Sequence, residues 1–257
     1  MSTTIILSYA LIIVGIVVWA LLIPGRRHVS PRLMNYINIF GGAFLFASCF
    51  INLVPHIFLG EDPYRFVTPN LHFKIAAAVM VGFLIQLLLE QLTHGAEHGH
   101  DHQSDETAND NGRPALVALL VGLCIHAFLE GMPMVDPDGD IHQGLLYGIV
   151  LHNIPIALVL VGLFMGQGYG FWRSFGLLLL FAVMTPLGSL CNLYLLPENE
   201  MLQSLIMGVV VGILLHVSVN ILFDHHNAFS WGKLLLILAA FVAAYFTPGC
   251  PEIYSTF

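Results

Sequence analysis

Charge is what this chain has least of. Lys, Arg, Asp and Glu make up 9% of its 257 residues, against about 25% in soluble globular domains. A surface that poor in charge is not built for water, whereas hydrocarbon tolerates an apolar exterior. Lys and Arg together number 8, and no run of them is long enough to grip a phosphate backbone, which sets nucleic acid aside as a partner. Cysteine is also sparse. Cys49, Cys124, Cys191 and Cys250 are scattered without CxxC pairing. That excludes a disulfide framework or a thiolate metal site and leaves buried small hydrophobes.

Hydrophobic residues, by contrast, make up 57% of the chain. Apolar stretches run at 3–23, 35–59, 71–93, 114–134, 143–166, 172–195, 202–224 and 232–247. A bilayer crossing needs about 20 residues, at about 1.5 Å rise each, to span about 30 Å. The expected fold is therefore all-α and integral to the membrane: one eight-transmembrane-helix bundle over residues 1–257. The stretch from Thr3 to Ile23 has no Lys or Arg ahead of it and no clean small-residue cleavage site. It reads as a first membrane helix rather than a cleaved signal.

Basic residues orient the bundle. With the N-terminus outside, inner loops hold Arg26, Arg27, Arg32, Arg113, Arg173 and Lys233, and outer loops hold only Arg65 and Lys74. The positive-inside rule favours that arrangement, and an even number of crossings puts the C-terminus outside too. The segment 94–113, HGAEHGHDHQSDETANDNGR, then becomes a polar, His-rich cytoplasmic loop. Its His94, His98, His100 and His102 are candidates for loose metal capture, as are Asp224, His225 and His226. The outer loop carries Asp136, Asp138 and Asp140, followed by His142, and its negative field would concentrate cations.

Ionisable side chains inside hydrocarbon are expensive and call for a reason. His126 and Glu130 stand four residues apart in IHAFLEGM, on one face of the fourth stretch. His152 and Asn153 follow in LHNIPIAL, in the fifth. Imidazole and carboxylate are the usual zinc ligands. Counted along the helices, His126 lies about 12 Å below the outer end of its segment, and His152 about 13–14 Å below the start of its own. Two antiparallel neighbours thus bring both rings to one level near the membrane middle, where solute sites of transporters lie. Pro155 and Pro186 each free a carbonyl four residues earlier, at Leu151 and Ala182. His216 is expected to hydrogen-bond to a neighbouring helix rather than hold metal, and Glu90 to be a solvated helix end rather than a ligand; Asn52 and Thr185 are open to interhelical hydrogen bonding, with weak oxygen ligation or a gating role as the alternatives.

In order along the chain, these features resemble the ZIP (ZRT/IRT-like) metal transporters over nearly the whole length. GGAFLFASCFINLVPH looks like the ZIP second helix, HAFLEG like its H-x-x-x-E/D-G signature, HNIPIA like its fifth-helix motif, TPLG like its sixth and GILLHVSVNILFDHH like its seventh. The resemblance implies that His126, Glu130 and His152 occupy ligand positions and that Asn153 stands where a second-site acid often lies. It also implies an elevator-like motion between helix groups. The site is depleted: Ile156 and Ala157 replace a polar pair, Ala127 a common Asn, Asn52 a His, and Thr185 an occasional Glu. One metal rather than two is expected, with Zn²⁺ as transported substrate moving towards the cytoplasm. His ligands favour zinc, and the single carboxylate leaves Fe²⁺, Mn²⁺ and Cd²⁺ open.

Partners are then a divalent metal ion and the lipid bilayer of a plasma or inner membrane, with a homodimer left open. Two rivals stand beside transport. One is a non-transporting metal sensor. The other is a membrane zinc-dependent hydrolase, disfavoured because no second carboxylate lies at the depth of Glu130, so the chain is not expected to be an enzyme. Ligand histidines must be neutral to bind metal. Metal uptake should therefore fall as pH drops towards about 6, as read by radio-metal uptake into sealed vesicles across that range.

Overall fold

In the computed structural model, residues 2–22, 31–59, 69–92, 112–136, 138–196, 199–223 and 230–247 are described. They form α1 (Thr3–Leu22), α2 (Pro31–Ser48), α3 (Val54–Leu59), α4 (Pro69–Leu92), α5 (Gly112–Gly131), α6 (Gln143–Gly166), α7 (Phe171–Leu195), α8 (Glu200–Phe223) and α9 (Trp231–Phe246). Six spans are long and apolar enough to cross a membrane: Arg32–Phe58, Asn70–Leu92, Pro114–Met134, Gln143–Gly166, Phe171–Leu195 and Met201–Phe223. The apolar helices Thr3–Val18 and Trp231–Phe246 are shorter. Most of the His-rich segment 94–113, along with Arg26, Arg27, Arg65, Asp224, His225, His226 and Cys250, lies outside the described residues.

These helices are apolar all round, which is the pattern of segments solvated by lipid or by other helices. The exposed faces carry Phe73, Met80, Leu84 and Leu88 on α4, Trp172 on α7 and Leu235 on α9. The buried faces carry Ile12, Ile16, Leu45, Leu53, Leu123, Leu145, Ile149, Phe164 and Phe181, which pack as one core. Helix α4 lies along α8, α5 along α7, α2 along α9, α6 and α8, and α1 along α6 and α7. Tyr9 of α1 donates to Ser189 of α7 at 3.0 Å. Cys49, Cys124 and Cys191 are free thiols, as their spacing suggested.

Two expected straight helices are modified. The stretch 35–59 is interrupted by a π turn at Cys49–Leu53, between α2 and α3. Pro55 has no N–H to offer the carbonyl of Ile51. The ladder widens instead, and Val54 N–H donates to the Cys49 carbonyl. The stretch 114–134 ends its α-helix at Gly131 and tightens into a 3₁₀ turn, Met132–Met134, at Pro133. Pro155 and Pro186, by contrast, lie within continuous helices.

Helices α5 and α7 touch backbone to backbone. A Cβ on Gly188 would run into the Phe128 carbonyl, and one on Gly131 into the Thr185 carbonyl. Small residues at such crossings are how membrane helices come close. A Cβ on Gly176, also in α7, would meet nothing. Gly188→Ala should therefore lower the melting temperature of the detergent-purified protein, at a cost of about 1–3 kcal/mol. Gly176→Ala should leave it unchanged or slightly raised.

Candidate metal centre

His126 and Glu130 come from the last two turns of α5, and His152 from the middle of α6. The structure brings the three together. His152 Nε2 lies 3.2 Å from Glu130 Oε1, and His126 Nε2 lies 3.7 Å from Glu130 Oε2. The two imidazole rings meet edge to face, with centroids 6.0 Å apart. All three residues are buried. One ligand atom from each lies within 4.8 Å of the others. A tetrahedral zinc ion with ligands at about 2.0–2.1 Å separates them by about 3.4 Å, so the two measured spacings already suit one ion.

The outer nitrogens of both rings are tied down. His152 Nδ1 is 3.0 Å from the Gly148 carbonyl, one turn earlier on α6. A carbonyl can only accept, so Nδ1 carries the hydrogen and the lone pair of the neutral ring sits on Nε2. His126 Nδ1 lies 3.0 Å from Gln86 Oε1 on α4, which turns its Nε2 towards Glu130 in the same way. Bonds of this kind fix the tautomer and orientation of metal-binding histidines. Neither Glu130 oxygen nor His152 Nε2 has a hydrogen-bond partner. Lone pairs facing each other at 3.2 Å repel unless a proton or a cation lies between them. The donor set therefore fits a divalent metal ion.

Asn153 is fully buried, and both of its amide atoms lack partners. It stands one residue, about 100°, further round α6 than His152. Thr185 Oγ1 and both amide atoms of Asn52 are likewise buried without hydrogen-bond partners, so neither side chain makes an interhelical hydrogen bond. The Leu151 carbonyl, released by Pro155, lies against Gly41 of α2. Ala157 is buried in the apolar core and Ile156 packs against it.

His216 makes its expected bond across helices, and the acceptor is Glu90. Glu90 stands at the end of α4 with its side chain 26% exposed, as read, and is paired as well. Its Oε2 is 2.7 Å from His216 Nε2 and 3.2 Å from Asn220 Nδ2, which joins α4 to α8. One turn of chemistry was missed outright. Gln86 stands four residues before Glu90 in IQLLLEQL, and an amide in the middle of a membrane span is itself a signal that a partner is near.

A family model described as the ZIP zinc transporter matches residues 92–246, more than half of the chain and all of α5 to α9. The chain belongs to the ZIP zinc transporter family. No curated protein matches it. Membership in the ZIP family implies transport of divalent metal cations across a membrane by a multi-pass integral protein. The matched region contains His126, Glu130, His152 and Asn153, whereas Gln86, which orients His126, lies ahead of it. If the three residues hold zinc, Gln86→Leu should weaken its binding by about 10–100-fold with His126, Glu130 and His152 intact, as measured by zinc titration of purified protein. Unchanged affinity would show that Gln86 does not orient His126.

Proposed function

We propose that this ZIP chain carries zinc towards the cytoplasm through one mid-membrane site formed by His126, Glu130 and His152, with Asn153 as an auxiliary oxygen ligand. The observation that carries the reading is the convergence of two imidazoles and a carboxyl group, all buried, with one ligand atom from each within 4.8 Å of the others. Two nitrogens and one oxygen favour Zn²⁺ over the hard cations. Three protein ligands and a water hold an ion while leaving it able to depart, which a carrier requires.

In this reading all eight apolar stretches cross the bilayer, α2 and α3 together counting as one. Both termini lie outside, in line with the placement of Lys and Arg, and the host is the cell membrane. The ion reaches the site from the end where α5 turns into α6, and leaves towards the end that carries the His-rich segment.

The test is zinc flux into liposomes containing the purified protein. His126→Ala combined with Glu130→Ala should reduce flux to the level of empty liposomes. Flux equal to wild type would make the site assignment wrong. Zinc binding at equilibrium without counterflow in the unaltered protein would instead point to a sensor.

A further inference from the structure

A second group of metal-binding side chains lies at the end of the bundle where α5 turns into α6. His56, Asp136 and His142 each offer one ligand atom, all within 4.8 Å of one another. His142 Nε2 is 3.0 Å from Asp136 Oδ1. The ring of His56 meets that of His142 edge-on, with centroids 4.7 Å apart. We propose that these three residues form a capture site for a divalent metal ion, zinc above all, that loads the ion before it reaches the mid-membrane site.

The turn that carries two of the ligands is built rather than loose. Val135 and Ile141 pair as an antiparallel bridge. Asp136 N–H donates to the Asp140 carbonyl at 2.9 Å, His142 N–H to the Met134 carbonyl at 3.1 Å, and Gly139 N–H to the Asp136 carbonyl at 2.8 Å. Gly139 takes a φ of +89°, which closes the turn. Asp136 and His142 are thereby held facing each other. His56 arrives from α3, whose separate path places a third ligand against the pair. Two imidazoles and a carboxylate with a water in the fourth position make a common zinc set. The 3.0 Å spacing of nitrogen and oxygen is close to the edge of a zinc tetrahedron, about 3.4 Å, so the ion takes the place of the shared hydrogen.

Access distinguishes this site from the inner one. The Asp136 side chain is 23% exposed, whereas Glu130 is 0% exposed. An ion can therefore arrive from water at the first and must be desolvated at the second. The two are joined by α6: His142 precedes the helix and His152 lies ten residues on, about 15 Å along its axis. Between them, the Asn52 amide lies against Gly144, buried and without a hydrogen-bond partner. Asp138 and Asp140, on the same turn, are exposed and add negative charge at this mouth.

The role in uptake rests on the transport reading above, but occupancy of the site does not. In protein carrying His126→Ala and Glu130→Ala, zinc per chain should fall further by one ion when His56→Ala and His142→Ala are added. In the otherwise unaltered protein, His142→Ala should raise KM for zinc flux about tenfold with kcat retained. His142→Cys gives a decision even if the alanine variants disturb the turn. Cobalt added to it should produce a thiolate-to-metal charge-transfer absorption that cobalt-loaded wild type lacks. No loss of zinc and no such absorption would overturn the capture site. Flux untouched by His126→Ala and Glu130→Ala would overturn the transport reading alone.

Discussion

The site depends on an electrostatic conflict. The Glu130 carboxyl group and the His152 Nε2 face each other at 3.2 Å, with His126 beside them, where all three side chains are buried. Hydrocarbon cannot solvate them, and the Nδ1 atoms of the two rings are engaged outward, with Gly148 and Gln86. Such an arrangement calls for a proton or a cation between the facing atoms.

Much of the surrounding packing holds that conflict in place. The backbone contact of α5 with α7 at Gly131 and Gly188 sets the depth of Glu130. Helix α6 runs close to α2, with Gly148 against Leu45 and Gly144 against Asn52. One turn beyond Gln86 on α4, Glu90 ties that helix to His216 and Asn220 of α8. The helix that supplies Gln86 is thus anchored to a neighbour other than the ones that carry the ligands.

The helices could be read from hydrophobic runs because the bilayer imposes a length on them. The convergence of His126, Glu130 and His152 could be read because ionisable residues within those runs are few, and because counting residues along two antiparallel segments fixes their relative depth. The π turn could not be seen in this way. Its cause, Pro55, was in view, but a proline in a helix can kink it, end it or widen it, and only packing decides. The pairing of Glu90 escaped for a related reason. Its place at the end of an apolar run says that water is near, not that His216 is nearer. His56 was not singled out, because the turn that brings His142 beside it is made by main-chain bonds to which the residue types contribute little.

The two histidines beside Glu130 are steadied in different ways. His152 leans on its own helix, so its anchor travels wherever α6 goes. His126 leans on Gln86, in a helix fastened to α8. Any sliding of α5 and α6 past α4 would leave the first ring aimed as before and let the second swivel. An ion held between these groups would lose a properly presented nitrogen at the moment of displacement, so the grip would slacken because the protein had moved and not because the ion had pulled away.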